Sequence, residues 1–232
     1  MITVRPHRER GHTKMAWLDS WHSFSFGGYA DPDHMGFSAL RVINDDRIMP
    51  GAGFPEHGHR DMEIITYVLE GVLAHRDSTG NSAVIHAGEF QRMSAGSGIA
   101  HSEYNGSATD PVHLLQIWII PATKGLSPGY EQRSISRSEG DGRLQLVASP
   151  EGEEGALFLH QDARLYVVRL RRGEQATHEI AAGRRAYVQT TNGVVELNTY
   201  RLVAGDGAAV AREERVTLTA LDPVEVLLFD LP

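Results

Sequence analysis

The stretch "FPEHGHRDMEIITYVLEG" (Phe54–Gly71) decides how this chain reads. His57 and His59 stand one residue apart around Gly58, and a largely apolar run follows. In a strand, side chains at i and i+2 share a face, so the two imidazoles project together. Such a pair can share a metal ion at about 2.0–2.1 Å per nitrogen. A second same-face pair, His101 and Glu103, lies in "SAGSGIAHSEYN" (Ser94–Asn105), where Gly96 and Gly98 can turn the chain just before it. A hairpin pattern separates the pairs, so two strands can bring three imidazoles and a carboxylate around one ion. That donor set suits divalent iron, nickel, copper, manganese or zinc.

Outward from this stretch the chain reads as strands. Short runs rich in Val, Ile, Leu and Tyr are bounded by Gly, Asn, Asp or Pro. One strand is expected over Gly36–Asp45, closed by a turn at Asn44-Asp45-Asp46, and another over Glu63–Gly71. A hairpin is expected around Ser78–Asn81, and "HLLQIWIIP" (His113–Pro121) has the composition of a buried strand ending at proline. Residues 121–143 carry prolines, glycines and mixed charge and read as a connection; strands then resume, with a two-residue hairpin expected at Asn192-Gly193. The fold class is all-β, two antiparallel sandwiches or barrels in tandem: residues 1–130 with the metal site, residues 131–232 without one. Of twelve histidines, ten fall between His7 and His113, which assigns any histidine-based site to the first half. His22 and the aromatics of "WHSFSF" (Trp21–Phe26) could line a pocket. His75 and His86 read as surface residues, and Met93, Ile117 and Trp118 as core.

Composition excludes several classes. With 41% hydrophobic and 22% charged residues the chain is globular rather than disordered. A formal charge of −8 and no basic block argue against direct nucleic-acid binding. No apolar run is long enough to span a membrane, and the N-terminus lacks the apolar centre of a signal peptide. A cytoplasmic location is the expectation. The absence of cysteine removes disulfides, thiolate nucleophiles and Cys-ligated metals. A metallo-β-lactamase-like hydrolase wants His-x-His-x-Asp-His; Asp61 fits, but Met62 stands where the last histidine belongs.

With these residues in place, "GAGFPEHGHRDMEIITYVLEG" resembles the first cupin motif and "GEFQRMSAGSGIAHSEYN" the second. From about Trp17 to Arg133 the chain is similar to the pirin branch of the cupins, and in particular to bacterial pirin-like quercetin 2,3-dioxygenases. The resemblance implies a bicupin with one divalent transition metal in its N-terminal domain, iron(II) foremost and copper, nickel, manganese, cobalt or zinc as alternatives. In pirins the ligands fall at the positions of His57, His59, His101 and Glu103. The generic cupin pattern would instead use Glu63, which is expected here as a nearby supporting carboxylate.

The implied activity is opening of the central ring of flavonols such as quercetin by dioxygen, with release of carbon monoxide and with Glu103 as general base. The implied partners are a small aromatic substrate and dioxygen. Eukaryotic pirins, which act as transcription-factor co-regulators, imply an alternative: an iron-binding, redox-sensitive module that works through a protein partner. A metal-assisted isomerase or decarboxylase of a small keto acid is a third class, since one fold hosts many reactions.

Overall fold

The computed structural model describes residues 1–135 and 142–232. The part of the expected connection at 136–141 lies outside the described residues. The first half contributes β1 (Ile2–Arg5), β2 (Gly11–Lys14), β3 (Leu18–His22), β4 (Leu40–Ile48), β5 (Gly53–His59) and β6 (Glu63–Glu70). It continues with β7 (Val72–Asp77), β8 (Ser82–His86), β9 (Glu89–Ser94), β10 (Ile99–Asn105), β11 (Val112–Ile119) and β12 (Gly129–Ser134). The second half contributes β13 (Gln145–Ser149), β14 (Leu157–Phe158), β15 (Arg164–Leu170), β16 (Gln175–Glu179) and β17 (Arg185–Asn192). β18 (Val194–Leu197), β19 (Tyr200–Val203), β20 (Gly207–Val210), β21 (Arg215–Ala220) and β22 (Val224–Leu231) complete it.

These strands form two sandwiches of the same plan, as a bicupin requires. The first packs a seven-stranded sheet, ordered β12-β9-β6-β11-β4-β3-β2, on a four-stranded sheet, β5-β10-β7-β8. The second pairs β1-β20-β17-β22-β15-β13-β14 with β16-β21-β18-β19. The N-terminal strand β1 thus serves as an edge of the second sandwich, antiparallel to β20, in the place that β12 takes beside β9.

The two halves turn the same corner with the same residue type. Gly71 (φ +79°) carries the chain from β6 in the large sheet to β7 in the small one, and Gly193 (φ +72°) carries it from β17 to β18. A Cβ at Gly71 would lie 2.7 Å from the Pro111 carbonyl oxygen, and one at Gly193 2.1 Å from that of Pro223. Glycine alone suits both positive φ and this approach. The expected hairpin at Asn192-Gly193 is therefore a sheet-to-sheet corner. The two-residue hairpin lies one strand later, where Asn198, itself at φ +54°, joins β18 to β19.

Side-chain alternation divides the interior into distinct regions. Ile43, Ile65, Tyr67, Phe90 and Leu115 of the first large sheet pack against Val167, Tyr187, Leu227 and Phe229 of the second, welding the halves together. The second sandwich has one continuous apolar filling, including Val168, Val188, Val195, Leu218 and Leu228. In the first sandwich the filling is split. Ile64, Met93, Ala95 and Ile99 form one cluster, and Leu18, Ile48, Val68, Leu73 and Leu114 another. Between them runs a polar row. His22, Asn44, Gln116, Thr66 and Gln91 occupy successive register positions across β3, β4, β11, β6 and β9. Asn44-Asp45-Asp46, expected as a turn, are interior positions of β4, and the row passes through Asn44.

Candidate metal centre

The polar row faces β5 and β10 of the small sheet. These strands are antiparallel neighbours with His57 directly opposite His101, and a bulge between His101 and Glu103 sets Glu103 opposite Phe54. The i, i+2 spacing does what strand geometry requires. His57, His59 and His101 converge, with ring centroids 4.6–4.9 Å apart. One nitrogen from each lies within 4.8 Å of the others. Glu103 joins a second, overlapping group with His101 and His75. His101 belongs to both groups, so the four residues singled out by sequence lie in one neighbourhood, with Glu103 offset toward His75.

His75 was expected at the surface and is instead buried, at 1% exposure. Its strand, β7, lies beside β10, and its alternation turns it inward opposite Glu103. Nε2 of His75 contacts Asp77 Oδ2 at 3.1 Å, and its ring stacks on Tyr130 with centroids 4.8 Å apart.

The nitrogens are prepared for a positive ion. The Nδ1–H of His57 donates to the Pro55 carbonyl at 2.8 Å, which leaves Nε2 as a free lone pair. Burial, with the charge of His57 adding, pushes the His59 pKa down to about 4. Burial, then the charges of His57, His59 and His75, pushes that of His101 to about 3. Both ring nitrogens of His101 are buried without a hydrogen-bond partner. An orphaned buried imidazole is costly, and a metal ion would satisfy it. The donor set fits one divalent transition-metal ion.

Glu103 is held in a cradle that sequence reading did not find. Gln91 Nε2 donates to its Oε1 at 2.6 Å, Thr66 Oγ1 to the same oxygen at 3.2 Å, and Gln116 Nε2 to Oε2 at 2.7 Å. Burial raises the carboxyl pKa of Glu103, although neighbouring His75 and the hydroxyl and amide donors oppose the rise. Thr66 and Gln116 are polar positions in the middle of apolar strands, and that is the signal by which the sequence could have revealed them; Gln91 lies in the mixed strand β9 and carries no such signal.

Alternation turns Glu63 away from the cluster. Positions 63, 65 and 67 of β6 face the other half of the molecule, whereas 64, 66 and 68 face the first sandwich's interior. Accordingly Glu63 accepts from Ser94 Oγ at 2.9 Å and contacts His160 Nδ1 at 3.3 Å, away from the cluster.

Beside the histidines opens a cavity of about 340 Å³. Trp17, Phe26, Phe54 and Trp118 supply flat apolar walls, and Thr13, Ser20, His22, Asn44 and Asp46 a polar one. Trp118, expected as core, meets His59 edge-on at 5.0 Å and Phe26 at 5.3 Å, and its Nε1–H lacks a partner. Of "WHSFSF", His22 and Phe26 reach the cavity; Phe24 is buried between the halves, and Trp21 stacks on His12.

Comparison with known proteins places this architecture. The pirin profile matches residues 3–119, and that of the quercetinase C-terminal cupin domain matches residues 146–231. The chain belongs to the pirin family. It is 53% identical over 232 residues to a quercetin 2,3-dioxygenase of Escherichia coli K12, covering 100% of this chain and 99% of that protein. A pirin-like protein of Caulobacter vibrioides is 41% identical over 231 residues, covering 99% of each. Among solved structures, the E. coli pirin YhhW in complex with nickel(II) superposes with a TM-score of 0.96 at 52% identity, covering 100% of this chain and 99% of that one. Among the described residues of this pirin, no helix is long and apolar enough to cross a membrane.

Proposed function

We propose that this pirin is a metal-dependent dioxygenase that opens the central ring of flavonols such as quercetin and releases carbon monoxide. The observation that carries the reading is the convergence of His57, His59 and the partnerless His101 on one face of a flat-walled cavity. The name of the E. coli relative supports the flavonol as substrate class, and the nickel(II) complex of YhhW supports a divalent metal. His57, His59 and His101 would hold that metal, with Glu103 as fourth ligand; iron(II) is the metal proposed.

When bound, the metal supplies Lewis acidity and open positions for substrate. The protein's own contribution is placement, exclusion of water and proton handling. The aromatic walls take up a planar ring system. Oε2 of Glu103 receives one hydrogen bond from the cradle and keeps one lone pair, which would serve as metal ligand or, once released from the metal, as base for the flavonol's 3-hydroxyl proton. The amides of Gln91 and Gln116 fix the carboxylate so that this lone pair does not wander. The resulting electron-rich flavonolate reacts with dioxygen, and the ring opens to an ester with loss of one carbon as carbon monoxide. The protein would act in the cytoplasm.

Glu103→Ala tests the assignment. Turnover of quercetin should fall by roughly 10²–10⁴-fold, the usual range for losing a general base, while the three histidines still retain metal. Unchanged turnover at unchanged metal content would remove Glu103 from the chemistry.

A further inference from the structure

The cavity's polar wall holds a carboxyl that the chemistry above does not use. Asp46 lies on β4, opposite Ser20 of β3 and Leu114 of β11, one register row from the polar belt. It lines the cavity yet is only 2% exposed, and its Oδ1 has no hydrogen-bond partner. Among the described residues it makes no ion pair, unlike its neighbour Asp45, which pairs with Arg10 and His113 on the other face of the strand. Burial raises its pKa to about 7; the Ser20 hydroxyl opposes the rise and the charges of Asp45 and Glu103 add to it.

Such a position works against stability. Leu18, Ile48 and Leu114 surround this row, and an apolar residue at 46 would join them without leaving an oxygen unsatisfied. A costly buried polar group facing a cavity is a mark of ligand recognition. The chemistry of its ligand follows from its surroundings. Oδ1 lacks a donor, the nearby walls are aromatic, and a second carboxyl, Glu103, disfavours an anion. A neutral O–H on a flat ring meets all three conditions.

We propose that Asp46 is a specificity-determining residue whose Oδ1 accepts a phenolic hydroxyl from a ring of the substrate other than the one that meets the histidine cluster. The inference rests on the flavonol reading and deepens it. A site built to bond a hydroxyl rejects the analogue that lacks it far more strongly than an apolar site does.

The test compares quercetin with 3-hydroxyflavone, which has no hydroxyl outside its central ring, in the metal-loaded full-length protein. The wild type should favour quercetin by tenfold or more in kcat/KM. In Asp46→Leu that ratio should collapse by about tenfold, through KM rather than kcat, and Asp46→Asn, which keeps a carbonyl acceptor, should recover part of it. Equal losses on both substrates, or an unchanged ratio, would overturn the proposal. Should the wild type turn over neither compound, the flavonol reading fails by itself. The ratio of the two dissociation constants, measured anaerobically by tryptophan fluorescence, then decides the role of Asp46 by the same criterion. Asp46→Leu should melt no lower than wild type; if it does not fold, Asp46→Ala, which also lacks an acceptor, takes its place in both measurements.

Discussion

Replacing His101 by leucine should invert the effect of metal on stability. Without metal, the buried ring of His101 offers one N–H and one lone pair, and neither has a partner. Each unsatisfied group costs about 1–3 kcal/mol, so an apolar side chain of similar size should stabilise the metal-free protein by about 2 kcal/mol. For a chain of this length that corresponds to a rise in Tm of roughly 4–8 °C. With metal the order reverses. At a free-metal concentration a hundred times Kd, the wild type gains about 2.7 kcal/mol, whereas the variant has lost the residue common to both ligand groups. Thermal melts in chelator and in nickel(II) would display the crossing: the variant higher in chelator, the wild type higher in metal. A variant that melts lower in chelator would mean that His101 is a satisfied structural residue. An equal nickel shift in both proteins would place the ion elsewhere.

Two further outcomes follow from the same geometry. Glu63→Gln should leave metal content unchanged by elemental analysis while lowering stability by about 1–2 kcal/mol, because its partners are Ser94 and His160 rather than the cluster. Loss of metal in that variant would restore the generic cupin ligand set. Asp230 is buried, which by itself would raise its pKa, but His178 at 2.9 Å and Arg184 at 2.5 Å outweigh burial and lower it. Its contribution is therefore complete above the ordinary carboxyl range, near pH 4, and fades as pH falls through the depressed folded value. Asp230→Asn should cost about 1.5–3 kcal/mol in urea melts at pH 7, with the gap narrowing below pH 4. A gap that stays constant or widens there would show that the carboxylate's ion pairs are not its source.

Local alternation made much of the site legible in the sequence. His57-x-His59 and His101-x-Glu103 each obey the period of two, and the structure sets their strands side by side. What sequence reading missed depends on which strands pair. "HLLQIWIIP" appears apolar on both faces, yet Gln116 at its centre meets Thr66 and Glu103, which Gln91 also reaches, only because β11, β6, β9 and β10 surround one interior. His75, at the base of a hairpin, is turned inward by the strand beside it. Asn44 and Asp46 have turn-forming side chains, but here burial in a polar belt overrides that propensity. Asn192-Gly193 has the composition of a hairpin, and only the close approach of Pro223 explains the glycine as a corner. β12 was hidden in a stretch rich in proline and glycine because its strand is completed by pairing with β9.

The central claim is tested most directly in an oxygen electrode charged with the iron(II)-reconstituted protein and quercetin. Loss of quercetin absorbance should run in step with oxygen uptake and carbon monoxide release, one for one. All three should stop on chelation and in a His57→Ala/His101→Ala double variant. A protein that binds one metal per chain yet consumes no oxygen with quercetin would contradict the account.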